Sequence, residues 1–187
     1  MYEVKRAAIT GLAETLGGLL EGKHLFVATA ESCTGGGIAE AITSVDGSSK
    51  WFDRAFVSYS NESKRAMLSV KVTSIKKFGA VSERVVKEMA LGAFKKSDAA
   101  FTVAVSGIAG PSGGTDEKPV GTVWFAWCVE GEVESAVMCF PGDRTAVRMG
   151  ATTIALQGLV TRVQRWLETN EVEDEILSVG ELEDVVQ

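Results

Sequence analysis

Histidine is nearly absent from this 187-residue chain, which has one, and cysteine and proline are scarce at three each. A single histidine, His24, at the start of a predicted strand, leaves a serine–histidine or cysteine–histidine mechanism resting on one strand-edge residue. We read His24 as carrying no special role. Cys33, Cys128 and Cys139 are odd in number and lack metal-ligand spacing, which excludes a disulfide framework and a zinc site and predicts a reduced, cytoplasmic protein. No metal or cofactor is expected. Long apolar runs are missing too: none approaches membrane-spanning length, and the start, Met1-Tyr2-Glu3-Val4-Lys5-Arg6, opens an amphipathic pattern instead of a signal core. Positive charge is the minority sign, with 19 Lys and Arg against 25 Asp and Glu, a net charge of −6. That balance argues against a nucleic-acid face, and its excess is local, because every charge after Arg165 is acidic.

What is present suffices for a core. With 45% of its residues apolar, the chain predicts one compact domain over residues 1–168, followed by an acidic tail at 169–187 that is poorly ordered or weakly docked. Apolar positions recur at helical spacing over 4–20, with Gly22 as the stop. Short apolar runs at 24–30, 51–59 and 101–105 read as buried strands, with helices at 38–45, 61–68, 72–78 and 82–96 between them. Alternating strands and helices imply parallel strands side by side with helices on both faces. Residues 122–129 and 133–140, joined by Glu130-Gly131-Glu132, read as a β-hairpin that adds antiparallel pairing at the sheet edge. A last helix at 143–167, with Asp143 as N-cap, covers one face. The expected fold class is therefore α/β with a mixed, mostly parallel five-stranded sheet.

The chemistry concentrates in three places. Ala30-Glu31-Ser32-Cys33-Thr34-Gly35-Gly36-Gly37 runs from a strand end into a glycine-rich helix start, so a hydroxyl lies beside free backbone N–H groups. That arrangement suits an anion cradle or a nucleophile with an oxyanion hole, and by itself Ser32 reads as an N-cap or phosphate ligand as readily as an attacker. Tyr59-Ser60-Asn61-Glu62-Ser63-Lys64 leaves the second strand and enters a helix, capped by Ser60 or Asn61. Lys64 then falls in the first turn, where the helix dipole and partial burial both disfavour its charge, and a neutral amine is a competent base. Tyr59 ends its strand on the carboxyl edge of the sheet, where ligands bind in open α/β sheets, and is placed to orient the lysine or stack on a ring. Cys33 is a rival nucleophile without a base near it in sequence. The third place is the loop 106–121, with five glycines and two of the three prolines. Its Ser106, Gly107, Gly110, Gly113 and Gly114 allow N–H groups to converge on an anion, with Lys118, Arg144 and Arg148 as the available cations.

These blocks, with Phe52-Asp53-Arg54, Gly79-Ala80-Val81-Ser82, Gly107-Ile108-Ala109-Gly110-Pro111 and Lys118-Pro119-Val120-Gly121-Thr122-Val123, closely resemble the CinA C-terminal-domain family in its stand-alone form. The resemblance runs to Asp143-Arg144 and Val147-Arg148. It departs at Gly37, where many relatives have a bulky aliphatic residue, at Ala55 in place of a frequent Gly, and at Ser69 within a usual Leu-Gly-Val. It implies a three-layer α/β/α sandwich and nicotinamide-nucleotide amidohydrolase activity, the hydrolysis of nicotinamide mononucleotide to nicotinate mononucleotide and ammonia in pyridine-nucleotide salvage. It also implies a catalytic pair, Ser32 as nucleophile and Lys64 as base then acid, and a homodimer. On that basis Thr34, Gly35 and Gly36 supply oxyanion N–H groups, Tyr59 and Asn61 orient the pair and the ring, and the 107–114 loop holds ribose and phosphate. The competing reading is a catalytically silent nucleotide-binding module that acts through a protein partner by way of the acidic tail.

Overall fold

The computed structural model describes residues 2–183. Helix α1 (Tyr2–Leu20) leads to strand β1 (Val27–Glu31), helix α2 (Gly37–Thr43), a 3-10 turn (Ser48–Lys50) and strand β2 (Phe52–Val57). Helices α3 (Asn61–Leu68), α4 (Val72–Phe78) and α5 (Glu83–Lys95) follow, then strand β3 (Phe101–Gly107), the hairpin β4 (Thr122–Val129) and β5 (Glu132–Cys139), and helix α6 (Arg144–Glu183).

The strand order is β2-β1-β3-β4-β5. The first three strands pair in parallel and the hairpin antiparallel, so only β4 opposes the common direction. The mixed, mostly parallel α/β sheet expected from the pattern is the one formed. Its central strands β1 and β3 are buried on both faces, which is why they are mostly apolar, while β5, at one edge, is largely exposed and β2, at the other, is half-exposed and not the buried strand expected, because a neighbour covers only one of its sides.

Two cores flank the sheet. Leu16, Ile38, Ile42, Phe101, Val103, Phe125, Leu156 and Leu159 join α1, α2 and α6 to one face. Leu68, Val85, Val86, Met89 and Ala90 join α3 and α5 to the other through Ala30, Ala104 and Ala126. On this second face α3 crosses α5 so closely that a Cβ on Gly92 would lie 2.0 Å from the Leu68 carbonyl oxygen. Only glycine lets α3 sit there, and α3 carries Lys64.

Several boundaries differ from the sequence pattern: strand β2 ends at Val57, so Tyr59 lies in the turn before α3 and does not end the strand. Strand β1 begins at Val27, because His24 takes a left-handed conformation (φ 55°) in the turn before it. Strand β3 runs on through Ser106 and Gly107, since both continue the antiparallel ladder to Trp124 and Val123. The last helix does not stop at Leu167: it continues through the acidic segment to Glu183, where Glu and Leu are good helix formers, no proline intervenes and Gly180 lies within the helix. The expected loose tail at 169–187 is thus helical as far as Glu183, and residues 184–187 lie outside the described residues.

Candidate active site

The parallel register brings the carboxyl ends of β1, β2 and β3 to one edge. Ser58 N–H donates to the Glu31 carbonyl (2.8 Å) and Ser32 N–H to the Val105 carbonyl (3.0 Å), so the residues leaving the three strands are stitched together. From β2 the chain turns into α3, whose N-cap is Ser60: its hydroxyl accepts from Ser63 N–H (3.0 Å), and the Ser63 hydroxyl accepts from Ser60 N–H (2.9 Å), a reciprocal cap. The fourth helical residue, Lys64, is thereby turned back over the strand ends.

Lys64 is 1% exposed, and its Nζ donates to the Ser58 carbonyl (2.8 Å) and lies 2.9 Å from Ser32 Oγ. Burial is the chief reason that its ammonium is disfavoured: the ordinary value of 10.5 falls to about 8, against a smaller opposing pull from Cys33. The carbonyl of Ser58 only accepts, so it always holds one N–H of Lys64. In the neutral amine the lone pair is then free to take the Ser32 proton. Ser32 itself is 9% exposed, which leaves its hydroxyl within reach of a ligand at the edge. The pairing of Ser32 with Lys64 anticipated from the motifs is present as a direct contact between two chain segments 32 residues apart.

The rival nucleophile and the single histidine stand outside this pair. Cys33 is buried, and loss of solvation pushes its thiol up to about 11, which keeps it protonated at neutral pH despite the nearby Lys64 and Arg148 charges. His24 precedes β1 at its amino end, the opposite edge from Ser32.

Of the expected binding residues, Tyr59, Gly110, Arg144 and Arg148 converge on this edge. Arg144, in the first turn of α6, donates to the Gly110 carbonyl (2.9 Å) and to the Tyr59 hydroxyl (2.6 Å). One turn on, Arg148 donates to the Thr34 carbonyl (2.7 Å). Tyr59 is 60% exposed and its hydroxyl serves Arg144, so it is Ser58, through its main chain, that orients the lysine. Asn61 is exposed at the first position of α3. The Thr34 hydroxyl is buried without a hydrogen-bond partner among the described residues.

Ser106 and Lys118 do not turn outward. Ser106 Oγ donates to the Ala80 carbonyl (2.8 Å), and Lys118 Nζ donates to the carbonyls of Phe78 and Val81 (2.9 Å each). Their polar atoms pin the 79–81 turn that ends α4, because the carbonyls at that helix end have no helical partner. The loop glycines have a packing reason as well. A Cβ on Gly107, Gly110 or Gly114 would come within 3 Å of the 120–123 segment, onto which the loop folds, and Gly113 faces Ile108. The loop closes on itself through Ile108 N–H to Thr122 O and Gly121 N–H to Ile108 O (2.8 Å each).

The glycine turn after Ser32 is corrected in one respect. Gly35 N–H donates to the Ser32 carbonyl (3.0 Å) and Gly36 N–H to the Glu31 carboxylate (2.9 Å), so neither is open to a substrate oxygen. Glu31 and Ser58 are the residues that sequence reasoning missed. Glu31 left a signal, a carboxylate closing an apolar strand, whereas Ser58 acts through its backbone and leaves none. Among the described residues no cluster of three His, Cys, Asp or Glu is placed to hold a metal ion, and no helix is long and apolar enough to cross a membrane.

Comparison with known proteins resolves the lineage. The model of the CinA C-terminal domain matches residues 9–163. The chain belongs to the CinA C-terminal-domain family. Among its curated relatives, the nicotinamide-nucleotide amidohydrolase PncC of Escherichia coli is 54% identical over 149 residues, covering 79% of this chain and 90% of that one. The protein of the same name from Pseudomonas putida is 53% identical over 152 residues, covering 81% and 95%. A crystal structure described as competence/damage inducible protein CihA from Agrobacterium tumefaciens superposes with a TM-score of 0.81 at 44% identity, covering 82% and 94%. The CinA domain thus accounts for the sheet and for the span from α1 to α6 that carries every residue of the site.

Proposed function

We propose that this CinA-family chain is a nicotinamide-nucleotide amidohydrolase that works through Ser32 and Lys64. The observation that carries the reading is the buried amine of Lys64, held by the Ser58 carbonyl at hydrogen-bond distance from the Ser32 hydroxyl. The names of the relatives that share the domain over most of their length support the substrate class.

In the proposed reaction neutral Lys64 takes the Ser32 proton as Oγ attacks the carboxamide carbon of nicotinamide mononucleotide. The resulting lysinium returns that proton to the departing nitrogen, ammonia leaves, and the nicotinoyl group remains esterified to Ser32. Lys64, neutral again, then takes a proton from water as the hydroxide adds to the ester, and Ser32 leaves with that proton as nicotinate mononucleotide is released. Acyl oxygen charge is received by amides of the turn after Ser32. Arg144, joined to Tyr59 and to the Gly110 loop, and Arg148, joined to the Thr34 carbonyl, are the cations for the phosphate, with Asn61 and the exposed Tyr59 ring flanking the pyridine. The substrate is a small molecule, so the proposal calls for no nucleic acid or membrane and places the enzyme in cytoplasmic pyridine-nucleotide salvage. A homodimer is part of the proposal and is checked by sedimentation equilibrium.

The decisive test is ammonia release from nicotinamide mononucleotide by the purified protein and by Ser32→Ala and Lys64→Ala. We expect both variants to lose about 10³-fold or more in kcat. Equal release by wild type and Ser32→Ala would sink the dyad.

A further inference from the structure

We propose that Glu31 is a positioning residue of the reaction centre. Its carboxylate takes the first amides of α2 and so sets the turn in which the Cys33 and Thr34 N–H groups are left to receive the acyl oxygen beside Ser32. This rests on the amide-hydrolysis reading and names the donors which that reading needs.

Glu31 closes β1 and is fully buried. A carboxylate in such a place is costly unless donors surround it, and here four do. Oε2 accepts from Gly36 N–H (2.9 Å) and Ile38 N–H (3.1 Å), and Oε1 accepts from Ala39 N–H (2.9 Å) and the Thr29 hydroxyl (3.2 Å). Helix α2 has no side-chain cap of its own, since its N-cap is Gly36 in the left-handed region. Glu31 supplies that cap from the preceding strand, with its negative charge on the favourable end of the helix.

The consequence for catalysis follows from the remaining amides. Gly35 N–H donates to the Ser32 carbonyl, Gly37 N–H to the Thr34 carbonyl (3.2 Å), and Gly36, Ile38 and Ala39 to Glu31. Of the amides from Cys33 to Ala39, that of Thr34 has no acceptor among the described residues, and that of Cys33 meets only its own thiol, a weak acceptor that a developing oxyanion outcompetes. They belong to the nucleophile's own turn, and the turn is clamped from both sides: Glu31 holds its far end, and Arg148 holds the Thr34 carbonyl. In either orientation a glutamine at 31 presents an NH2 group to at least one N–H donor, that of Ala39 at Oε1 or those of Gly36 and Ile38 at Oε2, so the clamp loosens although size and fold signal are kept.

The test compares wild type, Glu31→Gln and Thr29→Val. Glu31→Gln is expected to lower kcat on nicotinamide mononucleotide about 10²-fold, with KM within about threefold and the pH midpoint of the rate unchanged, since misplaced donors act on the transition state alone. Thr29→Val removes one of the four donors without changing shape and is expected to lower kcat about two- to fivefold. A Glu31→Gln protein whose kcat per folded molecule stays within about twofold of wild type, with only its melting temperature reduced, would overturn the proposal. If Glu31→Gln does not fold, Thr29→Val decides: a wild-type kcat overturns the proposal, and a loss at unchanged KM upholds it. Labelling by a fluorophosphonate separates this from the substrate assignment, because Ser32 Oγ bonds to phosphorus as fluoride leaves whatever the natural substrate is. Wild type without ammonia release but with Ser32 labelling at least about tenfold faster than in Glu31→Gln would refute the substrate and keep Glu31's role. Equal labelling rates overturn that role, and no labelling of wild type overturns it together with Ser32 as nucleophile.

Discussion

Replacing Lys64 by methionine should change how stability depends on pH, in an amount set by the burial of one amine. The fall of its pKa from 10.5 to about 8, caused mainly by desolvation, corresponds to about 3 kcal/mol at 1.36 kcal/mol per pH unit. The folded value lies below the unfolded one, so the unfolded chain holds the proton more tightly and the charge weighs against folding. The penalty is complete below pH 8 and is relieved as pH rises from 8 towards 10.5. Between pH 7 and pH 10 wild type should therefore gain about 2.5 kcal/mol relative to Lys64→Met, which has no amine to titrate. Urea unfolding of both proteins at half-unit steps reads this directly, because groups that titrate in both cancel in the difference. Methionine also removes the hydrogen bonds to Ser32 Oγ and the Ser58 carbonyl, each worth about 1 kcal/mol, which shifts the whole variant curve without tilting it. Parallel stability curves for the two proteins across that range would refute the claim that the amine is held in a desolvated site.

The same amine predicts the rate profile. Ammonia release, as kcat/KM, should rise about tenfold per pH unit below pH 8 and level off above it as Lys64 becomes the neutral base, and a flat profile from pH 6 to 9 would exclude this base. Gly92→Ala places a methyl group 2.0 Å from the Leu68 carbonyl oxygen, where only backbone movement makes room. We expect a loss of about 3 kcal/mol by chemical denaturation, with kcat lowered because α3 carries Lys64; an unchanged melting temperature would contradict the close crossing.

How far the sequence reaches differs from residue to residue. Strands β1 and β3 were legible because central parallel strands need mostly apolar runs, β2 was placed by its position between helices but lies half-exposed at an edge, and the hairpin was legible because Glu130-Gly131, both with positive φ, separates an apolar segment from an alternating one. Ser32 and Lys64 were legible as types in place: a hydroxyl at a strand end before glycines, and a lysine in a helix's first turn where its charge is unwelcome. The end of α6 was misjudged since acidic composition alone does not distinguish a helix from a loose tail. Ser106, Lys118 and the loop glycines were read as facing a ligand, and the fold turns them onto carbonyls and neighbouring backbone. That choice depends on which unpartnered groups lie nearby once the chain is packed, and no local pattern records it.

By itself, then, the chain's sequence determined the elements, the α/β class and the two residue types able to do chemistry, because secondary structure and strand burial are written in periods of a few residues. Only the tertiary structure decided that Lys64 Nζ meets Ser32 Oγ, that a main-chain carbonyl fixes the amine, and that Glu31 claims the amides expected to serve a substrate. Those outcomes depend on strand register and on competition among donors and acceptors brought together from distant segments, and burial then converts an ordinary lysine into a base.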